Sequence, residues 1–383
     1  MRRSRPSLAT YAHALALESM RSQTDRMLGA CIWWAEYRDS RARRQPFLNC
    51  GPRPSEVSSE CNPAARRESR QGILRAYAGR SGGRVKVGFW TLYDVDWTNE
   101  EIARRAAALG YTGVDLRVTA PGRQPGIGEN LSLGSSAADI DRTRLAFDQA
   151  GVEISSLNCY NSSPATGDAA AFTAFENEIR LHAELARKVG TPRIRFQITA
   201  GPPPGAAWED YLVDIWRSVG RVLDAVPGIN AVVENHPDRA NAGQLLATAE
   251  RIGDQRIGIE FSPDHVMVMQ ENLFELIERY APQIHQVCFA DRKVVQENLA
   301  RFDGRYYYVQ YESCWIGDGI VPGREMLARL SRLGFDDYVS LKWEKSARFG
   351  HHLPSSESAL EHFVQYMRQV GASGQQEQAA SRS

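Results

Sequence analysis

From Val85 to Trp343 the chain alternates short apolar runs of strand length with longer segments of helical period. Strands are expected over 85–91, 113–118, 152–157, 193–198, 230–234, 257–261, 284–289 and 337–343. Helices are expected over 99–109, 136–150, 170–189, 208–225, 242–252, 273–280 and 322–333. The punctuation agrees with this division. Thr98 stands at an N-cap with Glu101 three residues on, and Gly110, Gly151 and Gly190 stand where helices must stop. Strands separated by helices pair in parallel through crossovers, and eight of them close into a (β/α)8 barrel. A doubly wound open sheet is the alternative, but no G-x-G-x-x-G opens the first helix and no phosphate-binding loop is present.

In such a barrel the chemistry gathers at the C-terminal strand ends. Four strands of the second half end in polar clusters: Glu234-Asn235-His236, Ser262-Pro263-Asp264-His265, Cys288-Phe289-Ala290-Asp291 and Lys342-Trp343-Glu344. A carboxylate at the tip of an apolar strand is costly to bury unless it is paired or used. Glu234 is therefore read as a catalytic group, with an ion pair to Lys342 as its structural counterpart. Residues two apart on a strand share a face, so His236, Asp264 and Glu344 are expected one step above Glu234, Ser262 and Lys342. Arg117, at the second strand tip, is read either as a binder of a substrate carboxylate or phosphate or as an ion-pair partner of Asp115. His236 and His265 are read as substrate contacts or loop caps. Asp291 is read as a loop anchor or, with Arg292, as a substrate contact. Cys288 fits either a metal ligand or an inert buried thiol, and His285, of opposite parity, is read as structural.

Charge divides the 383 residues unevenly. Residues 1–84 hold sixteen Arg, no Lys and seven acids, about +9, so the zero net charge of the whole leaves about −9 on the remainder. An acidic body argues against nucleic acid as the main partner. The first 84 residues lack a clear period and are expected to be a disordered or loosely structured Arg-rich extension; a transit-type segment and a basic arm with a partner are the other readings. The barrel is expected over 85–370, with a disordered tail over 371–383. None of the six cysteines forms a C-x-x-C pair, and no apolar run approaches 18 residues. A cytoplasmic protein with no membrane partner is expected, with a homo-oligomer allowed.

The succession Gly-Tyr-Thr-Gly-Val-Asp-Leu-Arg (110–117), Glu234-Asn235-His236, Phe261-Ser262-Pro263-Asp264-His265, Cys288-Phe289-Ala290-Asp291, Gly317-Asp318-Gly319 and Ser340-Leu341-Lys342-Trp343-Glu344 resembles the xylose-isomerase-like barrel superfamily over about 85–370. That group includes sugar-phosphate isomerases and epimerases, ketose 3-epimerases, inosose dehydratases and type IV apurinic endonucleases. The resemblance implies one divalent metal (Mn, Zn or Mg) held by a Glu, an Asp, a His and a Glu on the fifth to eighth barrel strands. Here those positions carry Glu234, Ser262, Cys288 and Lys342. A shifted set of Glu234, Asp264 and Cys288, with His236 as a fourth ligand, is chemically able to bind zinc or manganese. Lys342 argues against it, because an ammonium supplies the same positive charge to a developing oxyanion and its pKa falls readily on desolvation.

The resemblance implies proton transfer next to a carbonyl of a polyhydroxylated, carbohydrate-like small molecule, an isomerase or epimerase reaction. Glu234 is one expected proton carrier and Lys342 or Glu344 the other. Two alternatives stay open: a lyase or dehydratase eliminating β to a ketone, and a barrel retired from catalysis that binds a ligand or a partner subunit. Nuclease chemistry needs many His ligands, which the second and third strand tips do not offer.

Overall fold

A computed structural model describes residues 85–380 except 92–94, 120–129, 162, 165–167, 238, 303–305, 346–349 and 351. The expected extension over 1–84 and residues 381–383 lie outside the described residues. The strands are β1 (Lys86–Trp90), β2 (Gly113–Thr119), β3 (Leu131–Ser132), β4 (Glu153–Cys159), β5 (Arg193–Phe196), β6 (Asn230–Glu234), β7 (Ile257–Phe261), β8 (Ile284–Phe289), β9 (Arg292–Phe302), β10 (Tyr306–Ser313) and β11 (Tyr338–Leu341). The helices are α1 (Asn99–Leu109), α2 (Ala137–Ala150), α3 (Ala169–Val189), α4 (Trp208–Ala225), α5 (Ala242–Ile252), α6 (Pro263–Val268), α7 (Leu273–Tyr280), α8 (Gly323–Arg332) and α9 (Ser356–Ala380). The expected tail beyond Val370 overlaps α9.

Eight strands form a closed parallel ring in the order β1, β2, β4, β5, β6, β7, β8, β11, and β1 pairs on both sides. Short β3 adds to the tip of β2. Local chemistry sets the boundaries. The Thr98 hydroxyl accepts the Glu101 N–H, Ser136 and Asp168 cap α2 and α3 in the same way, and Gly110, Gly151 and Gly190 end the three helices in the left-handed conformation.

The apolar core lies between ring and helices rather than inside the ring. Phe196 of β5 meets Phe175 of α3 and Trp216 of α4 edge to face at 6.4 and 6.2 Å. Truncating a buried aromatic of this kind costs about 3–5 kcal/mol. The ring interior is polar. Asp115 Oδ1 accepts from Ser155, Ser156 and Gln286 at 2.7, 2.9 and 2.9 Å, and the Gln286 amide oxygen accepts from Arg193 at 3.1 Å. At the floor the Tyr338 ring lies where a Gly113 side chain would be, 2.3 Å from an ideal Cβ, so that residue must be glycine.

One insertion interrupts the repeat. β9 and β10 form a separate antiparallel hairpin between β8 and α8. It springs from the mouth, and its base is fixed by Asp291. Asp291 Oδ1 accepts the N–H groups of Arg292 and Val321, at 2.9 and 3.1 Å, and Oδ2 those of Gly317 and Gly319, each at 3.0 Å. An ideal Cβ on Gly319 would stand 2.1 Å from that carboxylate. Charged hydrogen bonds contribute roughly 1.5–3 kcal/mol each. Asp291→Ala is expected to cost at least about 2 kcal/mol by that reckoning, read as a lowered urea midpoint. An unchanged midpoint would mean that other contacts hold the hairpin base.

Candidate active site

At the C-terminal mouth the side chains of Glu234 and Lys342, each 4% exposed, meet with Oε1 and Nζ 2.7 Å apart. Arg195, two-thirds along β5, lies between two carboxylates: its Nη2 donates to Glu234 Oε2, and its Nε donates to Glu260 Oε2 at 3.1 Å. Glu260, on β7 beside Glu234 in the register, also accepts the Trp90 indole N–H at 3.2 Å. The Trp90 ring faces both cations, 4.6 Å from the Arg195 guanidinium and 5.1 Å from the Lys342 ammonium. The result is a buried chain in which cations and carboxyl groups alternate, Lys342–Glu234–Arg195–Glu260, closed by an aromatic ring. Sequence reasoning found its first two members and missed Trp90, Arg195 and Glu260.

A second cluster adjoins it. The chain leaves β7 at Phe261 and turns at once into α6, so Asp264 and His265 belong to a helix. The expected strand parity for Asp264 therefore does not apply; a helical turn, not the pleat, aims it inward. The Ser262 hydroxyl donates to Asp264 Oδ1 at 2.9 Å, and Arg292, first residue of the hairpin, donates through Nε to Oδ2 at 2.7 Å. His265 Nδ1 lies 2.7 Å from the Asn235 carbonyl and 3.7 Å from Glu234 Oε1. The half-buried His236 stacks edge to face on His265 at 4.8 Å. Glu344 stands 3.8 Å from Lys342 Nζ, with its side chain 30% exposed.

The other expected residues sit differently. Arg117 is buried, donating to the Thr91 carbonyl at 2.9 Å and the Tyr160 hydroxyl at 3.2 Å, which keeps its guanidinium at the wall of the mouth. Asp291 has both oxygens on backbone N–H groups and anchors the hairpin. Cys288 is fully buried, and burial followed by the nearby Glu260 and Glu234 pushes its thiol well above the usual range.

Electrostatics separates the two central carboxylates. Burial raises the Glu234 pKa, but Lys342 and Arg195 outweigh it and hold the group well below its ordinary range. Burial lowers that of Lys342, but Glu234 and then Glu344 outweigh it, so the ammonium is stabilised. The expectation that desolvation lowers the Lys342 pKa is thus reversed by its counter-ion. For Glu260 burial dominates over Arg195 and pushes the carboxyl up to about 8. Burial lowers His236 to about 3, with His265 adding to it.

These shifts have opposite signs in stability. Glu260, whose ordinary value is 4.5, contributes stability that is complete below that pH and is lost as pH rises through about 8. His236, ordinarily 6.5, contributes stability that is present above that pH and is lost as pH falls through about 3. Glu260→Gln is expected to flatten the alkaline decline seen by urea denaturation and to leave the acid limb unchanged. A decline as steep as in the unsubstituted protein would contradict the assignment.

The donor set does not fit a divalent metal. Both oxygens of Glu234 are capped by cations, Asp264 is held by Arg292, and the Cys288 thiol is kept protonated. The shifted set of Glu234, Asp264 and Cys288 is therefore not assembled. Among the described residues no group of three His, Cys, Asp or Glu is placed to hold a metal. No described helix is long and apolar enough to cross a membrane. A separate cavity of about 420 Å³ lies between the starts of α1 and α2, where Asn99 donates to Thr143 and accepts from Asn130.

Comparison places the fold among known barrels. The chain is similar to L-ribulose 3-epimerase, at 13% identity and TM-score 0.60 over 78% of this chain and 99% of the other. It is similar to 3-keto-D-glucoside 4-epimerase from E. coli, at 13% identity and TM-score 0.55 over 75% and 100%. It is also similar to the IolI protein with a bound zinc atom, at 14% identity and TM-score 0.56 over 76% and 98%. No curated protein matches the sequence. The signature of the xylose isomerase-like TIM barrel matches residues 103–370, and the chain therefore belongs to that family.

Proposed function

We propose that this protein is a sugar-modifying enzyme of the isomerase or epimerase type, moving a proton next to the carbonyl of a polyhydroxylated small molecule. The observation that carries the proposal is the ionised Glu234 at the barrel mouth with the Lys342 ammonium 2.7 Å from its Oε1. Two epimerases and a probable dehydratase among the structures of similar fold support the substrate class.

Glu234 takes the proton from carbon, the C–H electron pair becomes the new C=C bond, and the carbonyl π pair moves onto the oxygen. As Glu234 becomes neutral, the Lys342 ammonium keeps its place and directs an N–H to the developing enediolate oxygen beside it. Return of the proton to the same or the neighbouring carbon, from Glu234 or through Glu344, completes epimerisation or isomerisation. Loss of a β-hydroxyl from the same enediolate would make the enzyme a dehydratase. His236, His265, Arg117 and Arg292 are proposed to bind the substrate's hydroxyl groups around it, in a cytoplasmic protein.

The test is proton NMR in deuterated water with a panel of ketoses and keto-glycosides. Deuterium entering a carbon next to the carbonyl supports the reading, and deuterium with loss of water selects the dehydratase. A panel that binds without exchange would favour the retired barrel, for which the full engagement of both Glu234 oxygens is the structural argument.

A further inference from the structure

We infer that Lys342 and Arg195 stand as fixed cations in the place of a divalent metal, so that this site holds none. The inference rests on Glu234 being the reactive carboxylate, but its test requires no turnover.

The two cations take opposite ends of one carboxylate. Lys342 Nζ faces Oε1 at 2.7 Å and Arg195 Nη2 faces Oε2, so a metal reaching Glu234 must displace one of them. Neither can leave easily. Arg195 is held at its other edge by Glu260 at 3.1 Å, and its side chain is 3% exposed. Lys342 lies over the Trp90 ring, and its backbone N–H stays bonded to the Phe289 carbonyl at 2.9 Å, as if β11 continued. The neighbouring carboxylate is equally engaged, since Asp264 carries Arg292 on one oxygen and the Ser262 hydroxyl on the other. A dication would thus enter beside two or three like charges, with a hydroxyl at Ser262, a thiol at Cys288 and an ammonium at 342 where anionic or imidazole donors would be needed.

The chemistry stays balanced without a metal. The enediolate oxygen gains one negative charge while Glu234 loses one by taking the proton. The cations that neutralised the carboxylate are then within reach of the new oxyanion, and the charge in the pocket is conserved.

The experiment uses the full chain expressed in medium supplemented with Mn and Zn. Elemental analysis and thermal denaturation with and without added Mn²⁺ or Zn²⁺ are compared for the unsubstituted protein, Lys342→Glu and Lys342→Gln. The expected result is substoichiometric metal and an unchanged Tm for the unsubstituted protein, with Lys342→Glu binding Mn²⁺ or Zn²⁺ at least about 100-fold more tightly. One equivalent of metal in the unsubstituted protein, lost in Glu234→Gln, would overturn the inference. So would a Lys342→Glu protein binding no more tightly than Lys342→Gln. Should Lys342→Glu fail to fold, Lys342→Gln decides, since removal of the ammonium alone must raise Mn²⁺ affinity. Metal in the unsubstituted site would leave the proton-transfer reading standing. Absence of exchange by a metal-free protein would defeat that reading alone.

Discussion

Glu234→Gln is expected to lower the rate of carbon-bound hydrogen exchange by about 10²–10⁴-fold, the contribution of a positioned general base. The amide keeps the shape of the carboxylate and accepts through one oxygen instead of two, but it cannot take a proton from carbon. The fold should survive, because Arg195 keeps Glu260 at 3.1 Å and Lys342 keeps Glu344 at 3.8 Å. Substrate affinity should change far less than turnover, since the loss is of a group used in the transition state. The measurement is the single-turnover exchange rate at saturating substrate, with circular dichroism to confirm the fold. Exchange within a factor of about three of the unsubstituted rate would remove Glu234 from the chemistry.

Arg195→Met is expected to cost about 3–5 kcal/mol in stability, for breaking a buried ion pair from one side. One guanidinium serves two buried carboxyl groups here, so its removal leaves Glu260 with the Trp90 indole, and Glu234 with Lys342, as hydrogen-bond donors among the described residues. Glu260 escapes part of the penalty by holding a proton. That escape closes as pH rises, so the deficit of the variant should widen between pH 6 and pH 9, past the value of about 8 for Glu260. Urea denaturation at both ends of that range measures it. Adding Glu260→Gln should recover part of the loss at the alkaline end, and a double-mutant cycle gives the coupling. A loss below about 1 kcal/mol at pH 9 would mean that water or a rearranged partner replaces the guanidinium.

The ring was legible because its signals are local. Thr98 and Gly110 bracket α1, Gly151 and Gly190 close α2 and α3, and apolar runs between them have strand length. The Glu234–Lys342 contact was legible because both residues stand at strand ends. Arg195 and Glu260 escaped notice because they lie inside strands. The available signal was period-two alternation, Arg193-Ile194-Arg195-Phe196 and Gly113-Val114-Asp115-Leu116-Arg117. A parallel strand covered by helices is ordinarily apolar throughout. Charges at every second residue of such a strand can face only the ring interior. Asp264 was placed by pleat parity, which ceases where Pro263 starts a helix. No strand is expected over 292–313 from the sequence, although Asp303-Gly304 between β-rich runs is a hairpin signal.

The hairpin leaves and rejoins the barrel at almost one point. Ser313 pairs with Arg292, the Cys314 N–H bonds the Asp291 carbonyl at 3.1 Å, and the Asp291 carboxylate gathers both flanks. Such a junction is a natural graft site. Evolution or an engineer can lengthen, shorten or exchange the projecting ribbon without altering the spacing of the eight ring strands. Because Arg292 is its first residue and reaches Asp264, each exchange would also change which cation guards the entrance, so specificity could diversify at this seam while the scaffold stays constant.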